Sequence, residues 1–188
     1  MEKNHFRAAL SATLAHEGGY NADKLDPGGQ TYMGISRVYW PSWSGWLKID
    51  EWLHSGKSMD LDLTDDVEDF YYVNFWGRIQ GDRIAKISPA VALEVFDTAV
   101  NMGVSTAVRF LQTAINMQNI GQKLYPDLEV DGKLGPKTIE ALRQYVTRSS
   151  GNRAGNEAIL LNCLNGEQYI AYKDNPRHEY FRGWFMRV

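Results

Sequence analysis

Glu17 sits within His16-Glu17-Gly18-Gly19-Tyr20, and Asp26 and Thr31 follow it at nine and fourteen residues, in a stretch dense in turn formers: Pro27, Gly28, Gly29 and Gly34. Two carboxyl groups and a hydroxyl around one space are the set that glycoside hydrolysis uses. One carboxyl protonates the leaving oxygen, and the other supports water attack or the positive charge that develops on the sugar. A carboxyl withdrawn from water keeps its proton to higher pH, as a general acid working near neutrality requires. Gly18 and Gly19 supply permissive backbone that ends a helix and lets a ligand approach. A glutamate before two glycines is equally the mark of a solvated, frayed helix end, so the assignment rests on what surrounds it.

The elements that must position these groups are read from periodicity. Phe6, Leu10 and Leu14 recur at helical spacing, with Ala9 and Thr13 beside them, so Glu17 continues a face turned toward a core and a helix is expected over about 3–17. The Gly- and Pro-rich stretch after it predicts a small β-hairpin over about 20–36 that folds back on the helix end. Further helices are expected at about 48–54, 65–76, 89–101, 104–117, 136–147, 153–172 and 177–186. Ser88-Pro89 reads as a helix start, Gly103 as a stop, and Gly135-Pro136 as another start. Regular βαβ alternation, fixed repeats and long linkers are absent, and Arg148 to Asn152 is short enough to be a helix connection. The fold class is therefore mainly α with one small hairpin.

These motifs carry a resemblance. His16-Glu17-Gly18-Gly19-Tyr20, the Asp26-x-Gly-Gly-x-Thr31-x-x-Gly34-Ile35 segment, and Tyr71-Tyr72 with Phe75-Trp76 resemble the N-terminal region of glycoside hydrolase family 108. That family consists of N-acetylmuramidases of the lysozyme-like superfamily, among them phage endolysins and proteins once labelled secretion activators. Phe96-Asp97-x-Ala99-Val100-Asn101-x-Gly103, Leu111-Gln112, Asp131-Gly132-Lys133-Leu134-Gly135-Pro136-Lys137-Thr138 and Phe181-x-Gly183-Trp184-x-x-Arg187 are similar to the family's C-terminal region, a predicted peptidoglycan-binding domain. The resemblance implies a lysozyme-like helical fold with its hairpin near the active site, a muramidase region at 1–98 and a peptidoglycan-binding region at 99–188. It implies Glu17 as the catalytic glutamate and Asp26 and Thr31 as its catalytic partners. Because no spacer separates the regions, they are expected to pack as one continuous body.

Aromatic residues bear on substrate. Tyr39, Trp40, Trp43 and Trp46 lie in a segment broken by Pro41, Ser42, Ser44 and Gly45, which suits either a glycan-stacking loop or a local aromatic minicore. Tyr20, Tyr32, Trp40 and Asn101 are the candidate substrate-binding residues. Asn101, behind the Phe96 and Val100 face, reads equally as a satisfied buried amide, and Gln112 could reach the cleft from the later helices. Phe70 and Trp76 fall on a core stripe, and Trp184 would close a C-terminal helix onto the body.

Several chemistries are excluded. His5, His16, His54 and His178 have no zinc-ligand spacing, and no nucleophile elbow is present. The acidic run Asp60, Asp62, Asp65, Asp66, Glu68 and Asp69 fails as a calcium loop, with Asp65 where glycine is needed and Tyr71 where a bidentate glutamate is needed. Thr64 reads instead as a helix cap with Asp65 and Asp66 in the first turn. Neither metal nor organic cofactor is implied. Cys163 is the single cysteine and, among Ile159, Leu160, Leu161 and Leu164, is expected as a buried inert thiol.

A net charge of −3 argues against a nucleic-acid binder, and the 44% hydrophobic residues suffice for a core. No uninterrupted apolar run approaches the roughly 18 residues of a membrane span. The start, Met1-Glu2-Lys3-Asn4-His5, lacks a signal-peptide pattern, so the chain is expected to stay cytoplasmic until a holin or specialised secretion system gives it access to the wall. The partner is then the glycan strand of peptidoglycan, met by a monomer. The resulting expectation is an N-acetylmuramidase. A noncatalytic peptidoglycan-binding or secretion-assisting protein on the same fold is the competing class, and a chitosanase a third.

Overall fold

The structure, a computed structural model, describes residues 3–15, 19–22, 29–56, 61–148 and 152–174. His16, Glu17, Asp26, Trp184 and the helix expected at 177–186 lie outside the described residues. The chain forms two compact units, one of Arg7–Asn74 and one of Met1–Phe6 with Phe75–Val188.

Helix α1, Lys3–Thr13, runs from the second unit into the first. Phe6, Ala9, Leu10, Thr13 and Leu14 are its buried positions, the stripe expected from spacing. It ends four residues earlier than the expected limit at 17, because Leu14 N–H still reaches Leu10 O at 2.9 Å whereas Ala15 N–H turns to Ala12 O at 3.4 Å. That shift from an i−4 to an i−3 partner closes the helix.

In the Arg7–Asn74 unit, strands β1 (Tyr20–Asn21), β2 (Thr31–Tyr32) and β3 (Ile35–Ser36) form an antiparallel sheet in that order. The β2–β3 connection has two residues, Met33 and Gly34, with φ of 46° and 78°. Positive φ at both central positions is what a type I′ turn requires, and its twist matches the strands it joins. Helix α2, Gly45–Ser55, follows the aromatic segment, and α3, Thr64–Tyr71, passes into a π-helical turn, Tyr72–Trp76, where an unbroken helix over 65–76 was expected. Thr64 is not the cap of α3. Asp62 Oδ1 accepts from Thr64 N–H at 2.9 Å and from Thr64 Oγ1 at 2.6 Å, so the threonine is the first helical residue and spends its hydroxyl as a donor. Those two bonds hold the Asp62 carboxyl below its usual range. Asp65 and Asp66 occupy the first turn as expected, and Asp66 pairs with Lys48 at 2.7 Å.

The other unit is helical: α4 (Gly81–Ala85), α5 (Pro89–Met102), α6 (Val104–Met117), α7 (Pro136–Val146) and α8 (Arg153–Lys173). Ser88 Oγ caps α5 by accepting from Val91 N–H at 3.0 Å, Pro89 fills the first turn, and Gly103 at φ 91° separates α5 from α6. Helix α5 packs against α4, α6 and α8, and α7 against α6 and α8. Phe96 and Leu111 are fully buried in this core, while Val100 and Phe110 are half-buried. Phe6 meets Trp76 and Phe96 at ring-centroid distances of 5.7 and 6.0 Å, and Trp76 meets Phe96 at 5.6 Å. Cys163 is half-buried rather than buried, with Gln118 Nε2 at 3.4 Å from its sulfur. It lies on α8 between fully buried Leu160 and Leu164, at the border of the core face.

Among the described residues no helix is long and apolar enough to cross a membrane, and no His, Cys, Asp and Glu cluster could hold a metal.

Candidate active site

A groove of about 380 Å³ opens in the Arg7–Asn74 unit. Arg7, Leu10, Ser11, Leu14 and Ala15 line it from α1 and the turn that follows, Tyr32 and Met33 from the hairpin, and Thr64, Val67 and Glu68 from α3. Arg7, Leu10, Ser11 and Leu14 recur at i, i+3, i+4 and i+7, so a single helix face supplies that wall. Ala15 precedes Glu17 by two positions in the chain.

Arg7 and Glu68 join α1 to α3 across this groove. Arg7 Nη2 and Nε both donate to Glu68 Oε2, at 2.9 and 3.1 Å. The pair raises the pKa of the Arg7 guanidinium, through the hydrogen bond first and the opposite charge second. Sequence reading missed Arg7, Ser11 and Glu68 as groove residues. Arg7 and Ser11 stand one place after Phe6 and Leu10 of the apolar stripe, and that adjacency was the available signal.

The sheet register sorts the sequence candidates. Tyr20 is paired with Tyr32, and Tyr32 with Ile35; Asn21 is paired with Thr31, and Thr31 with Ser36. Neighbouring residues of a strand point to opposite faces. Tyr20 and Tyr32 therefore share one face, and Thr31 lies on the other with Asn21 and Ser36. Tyr32 lines the groove, its hydroxyl donates to Leu61 O at 2.9 Å, and its ring lies 6.0 Å from that of Trp43. Burial pushes its phenol up in pKa. Tyr20 accepts from Gln30 Nε2 at 2.9 Å and meets Trp52 edge-on at 6.0 Å. Gln30 Oε1 in turn accepts from Arg37 Nη1 at 2.8 Å, and Arg37 forks onto Asp50 at 2.7 and 2.6 Å, which draws the Asp50 carboxyl below its ordinary value. Tyr20 is thus the end of a polar chain that braces the sheet against α2.

The aromatic segment divides between the two roles weighed for it. Trp43 and Trp46 are buried and meet at 5.2 Å, edge to face, with Arg37 stacked 5.3 Å from the Trp46 ring centre. Trp40 is half-buried, packs edge-on against Phe70 at 4.9 Å, and lines a second groove of about 380 Å³ with Asp69, Val73 and Asn74. Tyr39 is 73% exposed. Phe70 and Trp76 are buried, as their stripe indicated.

Asn101 and Gln112 belong to the other unit. Asn101 donates both amide protons to Asp97, to the carbonyl at 2.8 Å and to the carboxylate at 2.9 Å. Gln112 is buried and clamps the 131–138 segment: Nε2 donates to Asp131 Oδ1 at 2.9 Å and Lys133 O at 3.2 Å, and Oε1 accepts from Gly132 N–H at 3.0 Å. Among the described residues, the carboxyl whose proton affinity burial raises is Glu94 on α5, pushed up to about 7 with Gln168 donating to it. It lines none of the grooves described here, and its packing against α8 was not legible from its spacing.

Comparison with known proteins places these features. A family model described as glycosyl hydrolase 108 matches residues 10–103, which include the second groove and all of the first except Arg7. A second model, described as a predicted peptidoglycan domain, matches residues 106–188. Among solved structures the chain is similar to SagA of Brucella abortus, at 24% identity over 98% of this chain and 90% of that one, with a TM-score of 0.66. That likeness is one of fold, and with the helices and small sheet it bears out a mainly α, lysozyme-like architecture. No curated protein matches the chain.

Proposed function

The chain belongs to the glycosyl hydrolase 108 family, and from that premise we propose that this peptidoglycan hydrolase is an N-acetylmuramidase, cleaving the β-1,4 bond between N-acetylmuramic acid and N-acetylglucosamine. Glu17 protonates the glycosidic oxygen. Asp26 holds the attacking water or offsets the positive charge on the sugar. Thr31, on the sheet face opposite the groove-lining Tyr32, is given no part in that step. Tyr32 in the first groove and Trp40 in the second offer rings to the apolar faces of sugars, while Tyr20 holds Gln30 on the hairpin. Asn101, in the helical unit, is held by Asp97 and is given no place on that path.

The observation that carries this reading is the groove whose walls end at Ala15 and begin again at Tyr32, in the segment matched by the family model. Acid catalysis of glycoside hydrolysis needs a carboxyl partly shielded from water, and apolar Leu10, Leu14 and Val67 make this groove one that favours such a group. The test is digestion of purified peptidoglycan with mass analysis of the fragments. Muramic acid at the new reducing ends is expected. Glucosamine at those ends would reassign the bond, and intact strands would favour a noncatalytic wall-binding role.

A further inference from the structure

A groove of about 900 Å³ lies in the helical unit, between the 125–135 loop and α7, with a lining of chiefly apolar atoms. We infer that this groove holds the peptide stem of peptidoglycan rather than its glycan strand. The inference rests on the reading of peptidoglycan as substrate, and it adds which part of the polymer is held here.

The groove is prebuilt. Gln112 fixes the loop from within, and Asn119 does the same at its start, donating to Tyr125 O at 2.6 Å and Asp127 Oδ1 at 2.7 Å. A rigid concave wall keeps down the ordering cost of binding.

Its chemistry is wrong for sugar stacking. Tyr125 is the one aromatic residue among the described lining, and it is 6% exposed with its hydroxyl donated to Ile115 O at 2.8 Å. No open ring faces the groove in the way that Trp40 lines the groove of the other unit.

Its charge pattern suits a peptide of both signs. Lys133, Lys137 and Glu129 line the groove, are exposed, and form no ion pair among the described residues. The other acids are occupied: Asp127 by Asn119, Asp131 by Gln112 and the Lys133 N–H, and Glu140 by Arg143 and Gln144. In intact peptidoglycan the lactyl carboxyl of muramic acid is consumed in the amide bond to the stem, so the glycan strand is uncharged. Stem peptides carry free carboxylates, the ammonium of a diamino acid and alanine methyl groups. Open Lys137 and Glu129, Lys133 beside Asp131, and an apolar lining answer that set.

The experiment uses the full chain, a synthetic stem tetrapeptide (Ala-γ-Glu-Lys-Ala with natural chirality) and a tetramer of N-acetylglucosamine, followed by calorimetry. Lys137→Glu and Glu129→Lys reverse charges at exposed positions. The expected result is saturable tetrapeptide binding that weakens about tenfold or more in each variant, with tetramer binding and cleavage of peptide-stripped glycan strands unchanged. Absence of tetrapeptide binding in the unaltered chain, or variants that bind it as tightly as the unaltered chain does, would overturn the inference. Failure to cleave stripped strands while the tetrapeptide still binds would instead count against the muramidase reading alone.

Discussion

The Tyr71 hydroxyl donates a 2.8 Å hydrogen bond to the Met33 carbonyl, so α3 holds the hairpin turn in which Met33 takes a φ of 46°. A long side chain at positive φ is sparsely populated, and it persists where the surroundings over-determine it. Met33 and Tyr32 both line the groove, so this bond fixes one of its walls. Tyr71→Phe should lower stability by about 1–3 kcal/mol, since it strips a largely buried carbonyl of its partner. Urea unfolding should show a lower midpoint at unchanged slope. An unchanged midpoint would mean that the turn is held by other contacts.

Glu94 sets a pH dependence. Its carboxyl is largely withdrawn from water, and its pKa rises from 4.5 to about 7, chiefly by loss of solvation, against a bond from Gln168 that lowers it. The native state therefore keeps a proton that the unfolded chain releases near pH 4.5. The stabilisation is fully present below that pH and is lost as pH rises through about 7. Glu94→Gln, which stays neutral, should gain roughly 2–3 kcal/mol relative to the unaltered chain between pH 5 and pH 8. Parallel urea midpoints at both pH values would contradict the burial of this carboxyl.

Helix limits set by local chemistry were legible in the sequence. Ser88-Pro89, Gly103 and Gly135-Pro136 bound helices as read, because capping and glycine conformation depend on few neighbours. Helix α4 was missed because five residues are too short to display a period. The π-helical turn at Tyr72–Trp76 left the apolar stripe of α3 intact while changing its pitch, so pattern alone could not report it. Thr64 fell one place inside the helix, with Leu63 at the cap position, because Asp62 takes both its N–H and its hydroxyl, a choice that only geometry makes. At the candidate site, Tyr32 and Trp40 reached grooves, but the pairing of Arg7 with Glu68 depends on the approach of α3 to α1, a contact 61 residues apart in the chain.

Gly132 offers a test of the clamped loop. It has a φ of +75°, and a Cβ there would lie 2.4 Å from Ser105 Oγ and 2.9 Å from Ser105 O. Gly121 has a similar φ of +65° with nothing within 4 Å. Gly121→Ala should cost about 1 kcal/mol from backbone strain alone, and Gly132→Ala about 2–3 kcal/mol because the backbone oxygen cannot move aside. Equal losses in thermal or urea unfolding would show that the loop yields.

The boundary between the two family matches, at 103–106, falls at Gly103 and the first turn of α6. Val91, Ala92, Val95, Phe96 and Ala99 of α5 are fully buried, and α6 and α8 are among the helices packed on α5. Each large side chain uncovered by removing them forfeits roughly 1.5–3 kcal/mol. A fragment of residues 1–103 should therefore fail to unfold cooperatively and should lack wall-degrading activity. A stable, fully active fragment would establish a detachable C-terminal module in place of one continuous body.

Acid catalysis by Glu17 is the central claim, and the rate of peptidoglycan hydrolysis by Glu17→Gln tests it most directly, read beside circular dichroism and a urea midpoint to establish that the variant is folded. Loss of at least about a hundredfold in rate, at unaltered stability, is the expected result. Turnover near that of the unaltered chain in the folded variant would contradict it and remove Glu17 from the mechanism.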